Sequence, residues 1–285
     1  MNASSSTTLL LRCVECGSDG LSKEAGGNWR CGKCGRSYPC HAHRGIPVLI
    51  SSRSRLSAEE ILRQQVVPQK ANLKLAIEHW QTAGMQRLLE GFPGRQVLNY
   101  GCGDGGDRLW LESKGYDVTA FDIYPGDYTD FVCDGHELPF ADHSFDSVVS
   151  LAVFEHLYDP HRAAHEMFRV LRDGGVACGA VAFLEPYHAE SMFHMSPLGI
   201  REVLSAAGFK QIEIQRGWSW IEALSGSFWI WNQIRAVRLL TNKWQRAKFA
   251  FGQGLWSLAY RLKGRDVPER VRLGFCGSLV FRAVR

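Results

Sequence analysis

Two cysteine pairs carry the first recognisable chemistry of this 285-residue chain: Cys13-x-x-Cys16 and Cys31-x-x-Cys34, separated by fourteen residues. Four thiolates paired in this way can surround one Zn²⁺ tetrahedrally. Gly17, Gly32 and Gly35 sit where tight metal knuckles need a permissive backbone. A Cys₄ set leaves no open coordination position, so the metal is expected to be structural. A segment this short buries little apolar surface, and metal binding would supply its folding free energy. Cys40, His41 and His43 follow closely, but with four sulfurs in place they read as ordinary surface or core residues. The run 45–50, Gly-Ile-Pro-Val-Leu-Ile, reads as a short edge strand closing the module.

A second set of residues points to a bound nucleoside. The apolar strand 96–100 runs into Gly101-Cys102-Gly103-Asp104-Gly105-Gly106. A Gly-rich turn after a strand lets backbone approach a ligand, and the following helix offers free N–H groups. The next strand, 117–121, ends at Asp122, where a carboxylate can accept both ribose hydroxyl protons. A third strand, 131–133, ends at Asp134-Gly135, and Leu138-Pro139-Phe140 follows. A fourth, 145–150, leads into Leu151-Ala152, then come a helix over 160–171, a turn at 172–175 and a fifth strand over 176–183. A dinucleotide enzyme would share the Gly-rich turn and Asp122, but would leave Asp134-Gly135 and Leu138-Pro139-Phe140 without a role.

This succession over 95–183 resembles the class I methyltransferases related to ubiquinone and menaquinone biosynthesis enzymes. The resemblance implies that Gly101, Cys102, Gly103 and Gly105 face the methionine part of S-adenosylmethionine. It places Asp122 on the ribose, Ile123 against the adenine ring, Asp134 on the adenine amino group with the Gly135 backbone beside it, and Leu151 and Ala152 along the sulfonium. Asn99 stands where that family commonly has an acid, so an indirect contact to the methionine ammonium would be neutral here. Residues 11–50 resemble the zinc ribbon of tRNA-methyltransferase activator subunits, which implies a docking role, here in cis.

The expected architecture is α/β: a seven-stranded Rossmann-like sheet with its last strand antiparallel, preceded by a zinc ribbon. Residues 1–52 form the ribbon, 53–84 a linker and covering helix carrying Leu73, Ile77 and Trp80 at helical spacing, and 85–285 the catalytic domain. A helix over 198–207, a sixth strand over 210–214 and a last strand over 279–284 complete it. The interval of about 217–273 is a helical, aromatic-rich insertion that holds Trp218, Trp220, Trp229, Trp231, Trp244 and Trp256, interleaved with Arg235, Arg238 and Lys243. It reads as a substrate lid, a membrane-interface element, an RNA-stacking surface, or a subdomain with an aromatic core. A membrane span is disfavoured because Trp218 to Ile234 is 17 residues long and contains Glu222.

Methyl transfer from a sulfonium is an in-line displacement, so a base is needed only where the acceptor must lose a proton. His156, Tyr187, His188 and His194 lie at the carboxyl ends of the fourth and fifth strands and are the candidates. Charge is uneven: residues 1–55 carry 8 Lys/Arg against 3 Asp/Glu, 56–234 carry 13 against 24, and 235–285 carry 12 against 2. The acceptor is expected to be a small molecule, a glycan or a lipid-linked group. RNA gripped by ribbon and basic tail is the alternative, and a non-catalytic cofactor-binding scaffold a third. Expected partners are that acceptor, a membrane surface or RNA met through 217–273 and the basic C-terminus, and a second copy of the chain. Nine cysteines with CxxC pairing, and no secretory signal in residues 1–12, point to the cytoplasm.

Overall fold

The computed structural model describes residues 10–67, 70–73, 92–184, 190–217, 258–266 and 276–285, with isolated positions between them. Three short strands make the ribbon: β1 (Leu21–Lys23), β2 (Trp29–Cys31) and β3 (Ser37–Tyr38), in antiparallel order β1-β2-β3. Two more follow, β4 (Cys40–His41) and β5 (Ile46–Leu49), and then the six-residue α1 (Ala58–Arg63) with Ser57 as its N-cap.

The alternation of strand and helix after residue 95 builds an open sheet. Its strands are β6 (Gln96–Tyr100), β7 (Asp117–Asp122), β8 (Phe131–Cys133), β9 (Phe145–Leu151), β10 (Leu171–Ala182), β11 (Lys210–Arg216) and β12 (Ser278–Val284). Helices α2 (Gly106–Ser113), α3 (Pro160–Val170) and α4 (Pro197–Ala206) connect them. The spatial order is β11-β12-β10-β9-β6-β7-β8-β5-β4, with β12 antiparallel to both β10 and β11. The central strands are nearly continuous apolar runs because both faces are covered.

Two expectations are corrected. Residues 172–175 are not a free turn before the fifth strand: α3 stops at Val170, β10 begins at Leu171, and the register slips between Leu171 and Val176. The segment forms a bulge inside the strand, with Gly174 at φ +74°. The second correction concerns β5, which does not close the ribbon as an edge strand. It pairs in parallel with β8 through Val48–Val132 and Leu49–Cys133 and joins the main sheet. All four of its residues are buried, and a strand buried on both faces belongs inside a sheet. Pro47, which has no N–H to give, faces the two-residue β4 rather than β8.

Ribbon and sheet therefore share one core. Leu11, Cys13, Val14, Cys31 and Tyr38 pack in the same buried cluster as Leu98, Tyr100, Phe121 and Phe140. Leu11 bridges Phe140, flanked by hydrogen bonds from Arg12 N–H to the Pro139 carbonyl (3.0 Å) and from Ala141 N–H to the Leu10 carbonyl (3.0 Å). Leu73 is helical as expected, whereas Ile77, Trp80 and most of the 217–273 insertion lie outside the described residues; within the insertion, 258–262 are helical. Among the described residues no helix is long and apolar enough to cross a membrane.

Candidate cofactor cleft and metal centre

The four cysteine sulfurs converge. All lie within 4.8 Å of one another, with Cys13–Cys34 and Cys16–Cys31 each 3.7 Å apart. Four sulfurs bound at about 2.3 Å to one tetrahedral ion lie about 3.8 Å from each other, so the set fits zinc. Two hydroxyls support the thiolates: the half-buried Ser18 Oγ is 3.1 Å from Cys16 Sγ and 3.3 Å from Cys31 Sγ, and the buried Tyr38 Oη is 3.1 Å from Cys13 Sγ. Burial, then the neighbouring Cys13, pushes the Tyr38 phenol far above its ordinary pKa, which keeps it a hydrogen-bond donor. Cys40, His41 and His43 stay out of the cluster; His41 meets the Gln64 carbonyl and His43 meets Asp127.

At the carboxyl ends of β6 and β7 the Gly-rich turn and Asp122 meet. Asp122 accepts the Gly103 N–H (2.8 Å) and, through its other oxygen, the Tyr124 N–H (3.2 Å). Burial lifts its carboxyl above the ordinary carboxylate value, despite these hydrogen bonds. Gly103 and Asp122 open onto a cavity of about 440 Å³, also lined by Asp104, residues 124–129 and, on another wall, Gln64–Val67. The turn is tightly constrained. Gly101 has φ +73°, and a Cβ there would lie 2.6 Å from Val153, so the backbone passes directly beneath the end of β9. Gly105 caps α2 at φ +82°, and a Cβ would collide with the Tyr128 ring. We expect Gly105→Ala to destabilise the protein by about 2 kcal/mol or more, adding left-handed strain to overpacking. A urea titration with an unchanged midpoint would contradict this.

Asn99 is 1% exposed, and neither its amide nitrogen nor its oxygen has a hydrogen-bond partner among the described residues. A buried orphan amide beside a glycine cradle fits a site that a polar ligand completes. Cys102 is buried behind the turn, and burial raises its thiol to about 12, so it is no nucleophile. Ile123 is half-buried next to Asp122. Leu151 ends β9, and Ala152 adopts φ +55°, its N–H bonded to the Ala180 carbonyl.

Asp134 is 3% exposed, and both of its oxygens are engaged. One accepts His136 N–H (2.9 Å) and Nδ1 (2.6 Å), and the other accepts Ser54 Oγ (2.5 Å). Burial works to raise its pKa, but the His136 and Ser54 hydrogen bonds outweigh it and hold the carboxyl below the ordinary value. Tyr100 Oη lies directly under Gly135, where any side chain would collide with it. Nothing in the spacing of the sequence announced Ser54, His136 or the wall at Gln64–Val67.

On the acceptor side, His156 is half-buried in the single 3₁₀ turn Phe154–His156. His194 is exposed and meets Ser191 Oγ at 2.9 Å. Tyr187 and His188 lie outside the described residues. Glu155 is fully buried; its carboxylate accepts the Ala182 N–H (3.2 Å), while its carbonyl accepts the N–H groups of Met192 (2.6 Å) and Phe193 (3.0 Å). It thereby anchors the 191–195 loop over the end of β10.

The strand order, β12 antiparallel to β10 and β11, the Gly-rich turn after β6 and the carboxylate ending β7 define the class I S-adenosylmethionine-dependent methyltransferase fold. Residues 98–179 match the family described as "Methyltransferase domain". The chain is 31% identical over 146 residues to a "probable S-adenosylmethionine-dependent methyltransferase" of Mycolicibacterium smegmatis, covering 44% of this chain and 56% of that protein. It is 36% identical over 98 residues to the 2-methyl-6-phytyl-1,4-hydroquinone methyltransferase of Synechocystis, covering 30% and 31% respectively. Among solved structures, a SAM-dependent methyltransferase from Archaeoglobus fulgidus superposes with a TM-score of 0.48 at 16% identity, covering 75% of this chain and 94% of that one. The chain spans only 31% to 56% of the length of these two curated relatives.

Proposed function

We propose that this protein is an S-adenosylmethionine-dependent methyltransferase acting on a small molecule, with an apolar or lipid-linked acceptor fitting best. The observation that carries the reading is the cavity lined by Gly103 and Asp122 at the carboxyl ends of β6 and β7, where an open α/β sheet binds its ligand. S-adenosylmethionine would supply an electrophilic methyl group there. The chain's own part is to hold and orient the donor: Asp122 for the ribose hydroxyls, the turn at Gly101, Cys102, Gly103 and Gly105 for the methionine end, and Ile123 for the adenine face. Asp134 with Gly135 would lie toward the adenine end, and Leu151 with Ala152 toward the sulfonium. Positioning of this kind is the main demand of an in-line transfer.

The apolar character of the acceptor is supported by its rim. Leu184, Met192, Phe193 and Leu198 are exposed along the segment that follows β10, on either side of His194. The named acceptor of one relative is a phytyl-hydroquinone. His156 and His194 would be the described candidates to take a proton from an acceptor that must lose one. The four cysteines would hold one structural Zn²⁺.

Incubation of the protein with S-adenosylmethionine labelled at the methyl group and fractionated extract tests the reading. Label is expected in an organic-extractable small molecule. Label in the RNA fraction would support the alternative acceptor, and binding without transfer to any fraction would leave a scaffold.

A further inference from the structure

The linker that leaves the ribbon is held by it at both ends and lines the cofactor cleft at its second end, Gln64–Val67. At the first end Arg53 spans two structures: its guanidinium donates to the carbonyls of Val14 (2.5 Å) and Glu15 (2.8 Å), and its Nε to Glu137 (3.1 Å). Val14 and Glu15 are the two residues between the ligands Cys13 and Cys16, so the guanidinium grips the metal knuckle itself. Ser52 adds two hydrogen bonds to the Glu15 carboxylate (3.0 and 2.7 Å), and Ser51 donates to Glu137. Ser54 then holds Asp134. At the second end, His41 of β4 meets the Gln64 carbonyl (3.0 Å), and Gln64–Val67 form a wall of the cavity facing Asp122. Between the two ends, Ile61 packs with Ile46, Val48, Ile50 and Val132. Residues 134–137 lie just beyond β8, whose Val132 pairs with Asp122.

We propose that the metal-filled ribbon fixes the adenosine half of the cofactor cleft from within the same chain, with Arg53 as the positioning residue that links the knuckle to the 134–137 loop. The inference rests on the cofactor reading above and assigns the ribbon a task beyond docking. A knuckle closed on metal presents two carbonyls at a fixed spacing, which the planar five-donor guanidinium matches. The same group orients Glu137, which is 9% exposed and also bound by Arg162. An ordered loop and wall reduce what binding must spend on ordering them.

The test is Arg53→Ala in the full chain, with zinc content first shown equal to the parent. S-adenosylhomocysteine affinity is read by calorimetry, and amide hydrogen exchange is read across the chain. The Kd is expected to rise about tenfold, the equivalent of one charge-assisted hydrogen bond. Exchange is expected to accelerate over 51–67 and 131–141 while 197–206 stays unchanged. Arg30→Ala, whose partner Glu24 lies on the ribbon's outer side, is expected to match the parent. An unchanged Kd in Arg53→Ala overturns the proposal, as does uniformly faster exchange, which would show general destabilisation instead. If the parent itself fails to bind S-adenosylhomocysteine, the cofactor reading falls and this inference with it; parent binding with an unaltered variant sinks this inference alone.

Discussion

Asp122→Ala is expected to weaken S-adenosylhomocysteine binding by on the order of 100-fold or more. Two ribose hydroxyls donating to one carboxylate are worth about 1.5–3 kcal/mol each, and each 1.4 kcal/mol is tenfold in affinity. The carboxylate also accepts the Gly103 and Tyr124 N–H groups, so its loss loosens the turn that receives the methionine end. Asp122→Asn separates the two effects, since it keeps the shape and one acceptor oxygen; a smaller loss is expected. The sign of the pH dependence follows from burial. Because burial raises the Asp122 pKa above its ordinary value, affinity is full above that raised value and declines as pH falls through it. Asp122→Asn should flatten this decline. Asp117→Asn, at the exposed start of the same strand, is the control. Calorimetry that gave Asp122→Ala the parent's affinity would remove Asp122 from the cofactor site.

Removal of the metal has the second large effect. Metal analysis is expected to find about one zinc per chain, and Cys31→Ser to lose it. Structural zinc contributes an apparent 10–16 kcal/mol or so to the folding of small zinc-finger peptides, which leaves a ribbon of this size little else to fold on. The loss should extend beyond the ribbon, because Leu11, Cys13, Val14 and Tyr38 belong to the same core as Phe121 and Phe140. A cost of about 3 kcal/mol to the remainder corresponds to a fall in Tm of roughly 10 °C for a domain of this size. A metal-free protein with the parent's thermal unfolding curve would show that the four cysteines are not a zinc site.

How far the sequence could be read depends on the range of the interactions. The strands at 96–100, 117–122, 131–133 and 145–151 appear within a residue or so of their expected bounds. Each is a short, largely apolar run, and the first three end at glycine or aspartate, a pattern held within a few residues of chain. The CxxC pairs are legible for the same reason: a knuckle is a four-residue structure, and its glycines mark it. The edge-strand reading of 45–50 failed because Pro47 was a local signal, while the pairing of β5 with β8 joins residues more than eighty positions apart. The engagement of Asp134 by Ser54 spans a similar distance and left no trace in either segment.

The sequence by itself therefore determined the order of strands and helices, the glycine turn with Asp122, and the four cysteines that converge. These follow from hydrophobic periodicity, backbone freedom at glycine and ligand spacing, all of them local. Only the tertiary structure decided that the ribbon is built into the sheet and the shared core. Only there do Arg53 and Ser54 tie the Cys13–Cys16 knuckle and the linker to the loop beyond β8, and only there do Gln64–Val67 line one cavity with Asp122. The reason is that burial and hydrogen-bond partnership are properties of chain segments brought together, and no segment alone encodes its distant partner.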